Sequence, residues 1–376
     1  MNQKIARFFE EEQPATPCLV VDLNVVAENY AAMRAALPDS DIFYAVKANP
    51  AQDVLKLLVE LGSSFDVASP AEIDEVLAAG GRPARISYGN TIKKQRDIAY
   101  AYQKGVRLYA FDSEAELKKI AEAAPGSRVF CRILTDNEGA EWPLSKKFGC
   151  APEMARDLLA RAPKMGLKPY GISFHVGSQQ TDPGQWDRAL EAAAKIFRDL
   201  ADRGIDLDMV NLGGGFPTRY LKDIPAMSIY GGKIFDAIRQ RFGNRIPRTI
   251  IEPGRGMVGN AGVIRSEVVL ISKKSANDNK RWVYLDVGKF GGLAETMNEA
   301  IKYPITSERG GEQGPVILAG PTCDSEDVLY EKTDYQLPLN LEIGDMLTIH
   351  STGAYTMTYA STSFNGFAPM KAYYIR

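Results

Sequence analysis

The sequence predicts an α/β barrel built on a parallel sheet, followed by a β-rich domain. Between residue 18 and about residue 254, short apolar runs alternate with amphipathic segments of helical spacing, which is the pattern of repeated strand–helix units. After residue 262 helical segments become rare, and short β-rich runs are separated by turn signals such as NDN at 277–279. This second pattern indicates a β-sheet or β-barrel.

Nine apolar runs are the strand candidates. The amphipathic segments between them include 24–37, for which Asn24 is the predicted N-cap. Because the runs are apolar on both faces, they favour a parallel sheet closed into a barrel. An open doubly wound sheet is the alternative, but it usually has a glycine-rich turn after its first strand, and none follows the first run. The runs cover residues 18–23, 42–48, 64–69, 84–89, 107–112, 128–134, 170–176, 208–214 and 248–254.

The change of pattern near residue 262 divides the chain into two predicted domains. A (β/α)8 barrel is predicted over residues 22–261. The β-rich domain is predicted over residues 262–376 together with the N-terminal residues 1–21. A chain of 376 residues is long for a single domain, which agrees with this division.

Composition and charge exclude several classes of partner. A formal net charge of −2 gives no attraction for nucleic acid or for an anionic membrane surface. No apolar stretch reaches the ~18 residues of a transmembrane helix, and the acidic N-terminal segment lacks the apolar run of a signal peptide. The 4 cysteines form no CxxC pair, and free thiols fit a reducing compartment. We therefore expect a cytoplasmic protein without a nucleic-acid or membrane partner.

Histidine is scarce, and this limits the chemistry. His175 and His350 are the only histidines, so one chain cannot build a three-histidine zinc site, and a Ser–His–Asp triad would have to use one of the two. We predict no metal site. Difficult chemistry would then come from carboxylates, a lysine or a bound cofactor.

One lysine has an unusual position. Lys47 lies near the end of the apolar run FYAVKA and shortly before the breaker Pro50. A buried lysine is costly unless its amine has a partner or a function, and the C-terminal end of a barrel strand faces the usual active-site mouth. A lysine whose amine simply reaches solvent at the rim is the alternative.

Two further motifs have the residues to bind an anion. In NLGGGFP, residues 211–217, the glycines let the backbone approach an anion and present N–H groups. In EPGR, Glu252 and Arg255 flank a Pro–Gly turn. The carboxylate could keep a pyridine nitrogen protonated, and the guanidinium could hold a phosphate. Taken alone, the first motif is equally typical of a loop and the second of a surface ion pair.

Three more segments carry reactive or aromatic side chains. His175 ends an apolar run in FHVGS. Such a histidine is usually a core residue, but beside a cofactor it could stack on an aromatic ring. Cys323 and Asp324 share the loop GPTCD, and Tyr355 and Phe364 lie in GAYT and FNGF.

Together these motifs are specific. YAVKAN, FDVAS, FHVGS, GGGFP, EPGR, GPTCD, GAYT and FNGF occur in this order over nearly the whole chain. In this order and at these spacings they resemble the ornithine/lysine/arginine decarboxylase family, which has the alanine-racemase type of fold. Within it, the resemblance is strongest to ornithine decarboxylases and bacterial lysine/ornithine decarboxylases. It implies pyridoxal 5'-phosphate (PLP) as cofactor and a PLP-binding (β/α)8 barrel with a C-terminal β-sheet or β-barrel domain.

The resemblance implies a role for each matched residue. Lys47 matches the lysine that holds the cofactor as a Schiff base, and His175 matches the histidine that stacks on the pyridoxal ring. Glu252 matches the carboxylate that faces the pyridine nitrogen. An anion there raises the pKa of that nitrogen and keeps it protonated, as an electron sink requires. The other implied cofactor contacts are Asp66, Arg132, Ser178, Gly214, Gly215, Pro253, Gly254, Arg255 and Tyr355.

The resemblance also implies how the reaction ends. Cys323 matches the cysteine that protonates Cα after CO2 leaves. The family supplies this loop from a partner subunit, which implies a homodimer with shared active sites. Asp324 matches the carboxylate that binds the distal ammonium of a basic amino acid. A carboxylate there argues against diaminopimelate, whose far end carries a second carboxylate.

One segment departs from the animal ornithine decarboxylases. Their Tyr–Asp pair is matched here by Asn298 and Glu299, and the tyrosine of the preceding turn by Phe290. Glu299 keeps the negative charge but is one methylene longer, which shortens the pocket and favours ornithine over lysine. The predicted substrate-binding residues are therefore Asn298, Glu299, Asp324 and Phe364.

The sequence thus predicts a PLP-dependent decarboxylase that converts L-ornithine to putrescine in polyamine biosynthesis. A lysine or dual lysine/ornithine decarboxylase is the first alternative, because one methylene is worth only ~1–3 kcal/mol in a pocket. An inactive binding protein like the antizyme inhibitors is an alternative of another class, disfavoured by the retained Lys47, Glu252 and Cys323. An alanine racemase would need a second acid/base on the opposite ring face, and the GPTCD motif argues against it.

Overall fold

The structure is a computed structural model that describes residues 2–135, 138–142 and 147–376, without the side chain of residue 142. Its strands are β1 (Cys18–Asp22), β2 (Ser40–Ala45), β3 (Ser64–Val67), β4 (Ile86–Tyr88), β5 (Leu108–Phe111), β6 (Arg128–Arg132), β7 (Ala140–Trp142), β8 (Lys168–Ser173), β9 (Ser178–Gln180), β10 (Met209–Asn211), β11 (Arg248–Ile251), β12 (Gly262–Ser272), β13 (Arg281–Leu285), β14 (Ile305–Ser307), β15 (Gln313–Ala319), β16 (Val328–Pro338), β17 (Met346–His350) and β18 (Lys371–Ile375).

The α-helices alternate with the strands through the first two thirds of the chain. They are α1 (Gln3–Glu12), α2 (Leu23–Ala36), α3 (Gln52–Glu60), α4 (Pro70–Ala78), α5 (Gln95–Gln103), α6 (Glu114–Ala123), α7 (Pro152–Arg161), α8 (Gln185–Ala201), α9 (Met227–Phe242) and the single turn α10 (Arg255–Val258).

Helix starts follow from local side-chain chemistry. The hydroxyl of Ser69 accepts a hydrogen bond from the Glu72 N–H, and Pro70 occupies the first turn of α4, a combination that favours a helix start. The predicted N-cap of α2 was wrong by two residues. Asp22 Oδ1 accepts the N–H of Asn24 at 2.9 Å, so Asp22 caps the helix and Asn24 lies inside it.

Eight parallel strands close the predicted barrel. Their order around the ring is β10-β11-β2-β3-β4-β5-β6-β8, and β11 pairs with β2 so that Ile251 lies opposite Ile42. The barrel prediction is confirmed. Like other barrels of this type, it is a packed core rather than a pore. Side chains that fill the interior are Phe43, Leu108, Ala110, Phe130, Met209 and Ile250, with Tyr170 packed against them.

The second sheet has eight strands and confirms the predicted β-rich domain. Its central path is β14-β17-β12-β13-β15-β16, and β1 pairs with β12 and β18. The first apolar run of the sequence therefore belongs to this sheet, with Cys18 opposite both Arg265 and Lys371. Helix α1 packs Ile5 and Phe9 against the sheet.

Contacts divide the chain into two compact units. The barrel unit comprises Ala27–Pro217 and Ile224–Met257. The β-rich unit comprises Met1–Val26, Thr218–Asp223 and Val258–Arg376. Within the described residues, no helix combines the length and apolarity needed to cross a membrane.

Candidate active site

Strand register gathers polar side chains at one end of the barrel. Asp66 lies near the end of β3, Arg132 and Asn211 are the last residues of β6 and β10, and Glu252 directly follows β11. Because the strands are parallel, their C-terminal ends meet at the same mouth. The pairs Arg132–Ser173 and Asn211–Ser173 are register neighbours, so a polar layer lies above the apolar interior.

Lys47 lies just beyond its strand rather than within it. Strand β2 ends at Ala45, and Lys47 occupies a short 3-10 helix, Val46–Ala48. The Ala45 N–H donates to the Pro253 carbonyl at 3.0 Å, which ties this turn to the EPGR segment. The Lys47 residue is exposed while Val46 and Ala48 are buried, so the turn presents the amine at the barrel mouth.

Two carboxyl groups at this mouth have raised pKa values, which favours their neutral forms. Desolvation raises the pKa of Asp66 well above its ordinary value, and the nearby charge of Glu252 raises it further. Desolvation also raises the pKa of Glu252, opposed by a hydrogen bond from Asn211 and by the charges of Lys47 and Arg132. Asp66, Glu252, Lys47 and Arg132 therefore form one electrostatically coupled group.

Asn211 orients Glu252. The Asn211 Nδ2 donates a short hydrogen bond to Glu252 Oε1. Its Oδ1 accepts the Gly213 N–H at 2.9 Å, and the Glu252 N–H donates to the Gly213 carbonyl at 2.8 Å. The carboxylate thus has a fixed direction and keeps an acceptor for a further donor.

His175 is held as a neutral imidazole. The Gly177 N–H donates to His175 Nδ1 at 3.0 Å, which requires a lone pair on that nitrogen. Desolvation lowers the pKa of His175 well below its ordinary value, and the positive charges of Arg132 and Lys47 lower it further. The Thr135 hydroxyl fixes the backbone by donating to the His175 carbonyl at 2.6 Å.

The glycine loop comes close to neighbouring backbone. Gly213 has a φ of +67°, and a Cβ there would lie 2.1 Å from the Phe174 carbonyl oxygen. A Cβ on Gly214 would lie 2.6 Å from the Glu252 carbonyl oxygen. Side chains are therefore excluded, and backbone N–H groups can face a bound anion directly.

An arginine and a serine meet beside this loop. Arg255 is 3% exposed, and its Nε and Nη2 donate to Ser178 Oγ at 3.4 and 3.3 Å. Ser178 begins β9, whose last residue Gln180 donates its N–H to the Gly215 carbonyl at 2.9 Å. A buried guanidinium, a hydroxyl and a glycine loop form a cradle suited to phosphate.

The β-rich unit carries the remaining predicted residues. Cys323 is exposed, and its N–H donates to Asn365 Oδ1 at 3.0 Å. Asp324 Oδ1 accepts the Glu326 N–H at 2.9 Å. Tyr355 has a left-handed φ of +57° and contacts the ring of Tyr359, with centroids 5.6 Å apart.

Phe364 lines a cavity of about 260 Å³ in the β-rich unit. Its ring packs on that of Phe290, with centroids 4.6 Å apart. Pro321 and Thr322, which directly precede Cys323, form another part of the wall. The GPTCD loop, the Phe290 turn and the FNGF segment therefore meet at one cavity.

The structure contradicts the expected role of Glu299. Its Oε1 accepts the N–H groups of Glu331 and Lys332 at 2.9 and 2.7 Å, and its Oε2 accepts the N–H and hydroxyl of Thr333 at 2.7 and 2.6 Å. Four donors from β16 occupy the carboxylate, so it is not available to a substrate ammonium. Asn298 is exposed on the same turn, with a φ of +53°.

Comparison with known proteins agrees with this geometry. The family model described as "Pyridoxal-dependent decarboxylase, pyridoxal binding domain" matches residues 23–259. The chain belongs to this decarboxylase family. It is 37% identical to the lysine/ornithine decarboxylase of Selenomonas ruminantium over 94% of this chain and 88% of the relative. It is also 34% identical to antizyme inhibitor 2 of Xenopus laevis over 94% of this chain and 80% of that protein.

Solved structures of decarboxylases have the same fold. The lysine decarboxylase from Selenomonas ruminantium matches with a TM-score of 0.89 and 34% identity, over 99% of this chain and 95% of that one. The lysine/ornithine decarboxylase from Vibrio vulnificus, complexed with putrescine, matches with a TM-score of 0.88 and 29% identity, over 99% and 97% of the two chains. The chain is thus a carboxy-lyase of the PLP-dependent decarboxylase family.

The barrel residues of this decarboxylase fit PLP. Arg255, Ser178 and the glycine loop suit the phosphate. Asp66 Oδ1 is buried and accepts no hydrogen bond from any described residue, so the mouth contains an acceptor that a bound group can satisfy. Glu252 at the same mouth is a carboxyl group, the kind of group that can stand beside a protonated pyridine nitrogen.

Sequence reasoning missed Asn211. Its signal was a polar residue at the end of a run that is otherwise apolar, immediately before the three glycines. An asparagine there is also a common turn residue. Only the register of β10 beside β11 showed that its amide faces Glu252.

Proposed function

We propose that this chain decarboxylates L-ornithine to putrescine in polyamine biosynthesis, with L-lysine as the alternative substrate. The observation that carries the proposal is the gathering of Lys47, Asp66, Arg132 and Glu252 at the ends of neighbouring barrel strands, together with the buried Arg255–Ser178 pair. It supports the predicted cofactor set, and the family makes the reaction a decarboxylation. The finer choice of substrate rests on the GPTCD loop.

PLP, when bound, supplies an electron sink for the bond that loses CO2. Lys47 is the residue we assign to hold the cofactor's aldehyde carbon and to exchange with the amino group of the substrate. Glu252, oriented by Asn211, would keep the ring nitrogen protonated. His175 is neutral, and a neutral imidazole can lie against the pyridoxal ring without adding a positive charge beside the pyridinium.

The phosphate group of PLP would anchor the cofactor in the barrel. Arg255 and Ser178 are assigned to the phosphate oxygens, with N–H groups of Gly214 and Gly215 and the hydroxyl of Tyr355. The residues Pro253 and Gly254 shape the turn before Arg255, whose guanidinium is already buried and hydrogen-bonded to Ser178. A preformed cradle of this kind fixes the ring relative to Lys47.

The GPTCD loop is assigned to the substrate. Cys323 would protonate Cα, and Asp324 would bind the distal ammonium. Asp324 is partly buried in this loop, and its Oδ1 accepts the Glu326 N–H at 2.9 Å, which orients the carboxylate. Because Cys323 and Asp324 are adjacent, one loop would contact both ends of a basic amino acid, and ornithine stays the preferred substrate by the family resemblance.

Glu299 does not distinguish ornithine from lysine, because N–H and hydroxyl groups of β16 occupy its carboxylate. Asn298 and Phe364 stay in the proposed substrate-binding set. The methylene that separates the two substrates is worth ~1–3 kcal/mol, so we expect lysine turnover that is slower by roughly 10- to 100-fold in kcat/KM.

We further propose a homodimer in which the Cys323 loop of one subunit serves the barrel of the other. The support is the family resemblance of the GPTCD motif. The exposure of Cys323 is compatible with a loop that acts on another subunit.

The test of the function is a comparison of CO2 release from ornithine, lysine, arginine and diaminobutyrate by the PLP-loaded protein. The proposal predicts the highest kcat/KM for ornithine. Equal values for ornithine and lysine would remove the preference for the shorter substrate. Binding of PLP without CO2 release from any of them would overturn the decarboxylase proposal and favour the inactive binding protein.

A further inference from the structure

A buried carboxylate lies directly behind the GPTCD loop. Asp327 is 2% exposed. Its Oδ2 accepts the N–H and hydroxyl of Thr322 at 3.1 and 2.7 Å, and its Oδ1 accepts the Lys289 N–H at 2.8 Å. Its own backbone accepts the Gly320 N–H at 2.7 Å and donates to the Asp324 carbonyl at 3.1 Å. Asp327 thus holds the loop at both ends of the Thr322–Asp324 segment.

Two glycines lie so close to the Asp327 carboxylate that neither position has room for a side chain. A Cβ on Gly288 would lie 2.2 Å from Asp327 Oδ1, and a Cβ on Gly320 would lie 2.4 Å from both carboxylate oxygens. These glycines belong to different segments, the turn before Phe290 and the start of the GPTCD loop. Asp327 therefore contacts both segments at positions where a larger residue than glycine would clash with its carboxylate.

One joined segment carries residues of the proposed substrate site, and the other packs on a residue of that site. The loop carries Cys323 and Asp324, and the turn carries Phe290, which packs on Phe364 at the cavity of about 260 Å³. Asp327 is absent from the cavity wall. It acts behind the site, on the backbone that carries the reacting groups.

We propose that Asp327 is a positioning residue that fixes the Cys323 thiol and the Asp324 carboxylate relative to the Phe290 wall. This inference rests on the proposed function, in which Cys323 is the proton donor. Hydrogen bonds to a buried charge are directional and strong, and a displacement of about 1 Å in a reacting group costs on the order of 100-fold in rate.

The consequence concerns where the final proton goes. With the thiol in place, it would give its proton to Cα, the Lys47 amine would displace the amine product from the cofactor's aldehyde carbon, and solvent would return a proton to the sulfur. With the thiol displaced, solvent would instead protonate the cofactor's aldehyde carbon. Water would then cleave the bond between the substrate carbon and its nitrogen, releasing an aldehyde with one carbon fewer than the amino acid and leaving the amino group on the cofactor. The ratio of amine to aldehyde therefore measures the position of the donor.

The experiment compares Asp327→Asn with Asp345→Asn in the PLP-loaded protein. Asp345 is a matched control because it also accepts a backbone N–H, that of Glu342 at 2.7 Å, and a hydrogen bond from Arg309, but it touches neither loop segment.

For D327N we expect kcat to fall on the order of 10- to 100-fold and the aldehyde fraction to rise. Amide exchange at Lys289 and Thr322 should accelerate in the cofactor-free protein as well, while PLP affinity stays unchanged. D345N should lower the melting temperature without changing the product ratio.

A third variant separates this inference from the proposed function. Cys323→Ala tests the donor directly. If C323A changes the product ratio and D327N does not, the positioning role is overturned and the donor stands. If C323A leaves the ratio at the wild-type value, the donor assignment fails and the inference fails with it. Accelerated amide exchange in D345N equal to that in D327N would also overturn a role specific to Asp327.

Discussion

Two opposing effects act on the pKa of Glu252. Desolvation favours its neutral form, while Asn211, Lys47 and Arg132 favour the carboxylate. A positive pyridinium beside it would shift the balance further toward the charged form. The residue therefore has the environment of an acid whose charge depends on its partner.

The charge of Glu252 can be tested without changing its shape. Glu252→Gln keeps an oxygen that can accept the Asn211 hydrogen bond but removes the negative charge. We expect PLP to bind and kcat to fall about 10²- to 10³-fold, because an electrostatic contact to the reacting group is lost. Cofactor absorbance and CO2 release measure the two effects. Asn211→Ala should cost only about tenfold, since it removes one hydrogen bond and leaves the charge. Equal losses in both variants would mean that orientation, rather than charge, is what matters.

The neutral state of His175 gives a pH prediction. Its pKa lies well below the ordinary value, so it stays neutral as the pH falls through the range in which an ordinary histidine gains a proton. The pH profile of kcat/KM should therefore show no limb at the ordinary histidine pKa of about 6.5. The shape should be the same in His175→Asn, whatever its rate. An acidic limb near that pH that vanishes in the variant would contradict this.

At the scale of single residues, sequence motifs identified the side chains that carry charge or nucleophilic character, such as Lys47, Glu252 and Arg255. They did not reveal Asn211 or Asp327. These two act through hydrogen bonds to residues that are distant in the sequence, namely Glu252 and Lys289. Their partners depend on strand register and loop packing, which the local pattern does not contain.

Among the elements, the turn that ends at Glu299 is joined to β16 by hydrogen bonds to the Glu299 carboxylate. Partial burial opposes ionisation, but the Thr333 hydroxyl and the N–H groups of Lys332, Glu331 and Thr333 together lower its pKa to about 2. The folded-state pKa lies below the ordinary value of 4.5. The resulting stabilisation is complete above the ordinary value and is lost as pH falls toward the folded one.

Glu299→Gln should therefore lower the free energy of unfolding by about 1–2 kcal/mol at pH 7, after allowance for solvent screening. The difference from wild type should shrink between about pH 5 and pH 2. Urea unfolding at a series of pH values measures it, and exposed Glu331→Gln on the same strand is the control. Unchanged stability together with a raised KM for ornithine would restore the substrate-binding role.

Strand positions were predictable where the apolar pattern was complete, but the predicted ends of the strands were wrong. The run 42–48 was read as a strand, but β2 stops at Ala45 and Lys47 lies on the following turn. An apolar run does not distinguish a strand from a buried turn. The run 18–23 has the same apolar pattern as the barrel strands, although residues 1–21 are predicted to join the β-rich domain. Strand β1 pairs with β12 and β18, which belong to the β-rich sheet.

For the whole molecule, the strongest claim still to be tested is the shared active site. If Cys323 acts on the partner's barrel, subunits of Lys47→Ala and Cys323→Ala complement each other in a mixed dimer. One of its sites then carries both substitutions and the other carries neither. Random mixing should restore about a quarter of wild-type activity, since half the dimers are mixed and each has one intact site. No recovery after verified exchange of subunits would mean that each site is built from one chain.

The central claim is that Lys47 holds PLP at the mouth of the barrel. The most direct measurement is borohydride reduction of the PLP-loaded protein, followed by peptide mass spectrometry. We expect one pyridoxyl group, carried by Lys47, and its loss in Lys47→Ala, together with the loss of CO2 release. A stable pyridoxyl label on another lysine in the wild-type protein, or decarboxylation that persists in Lys47→Ala, would contradict it.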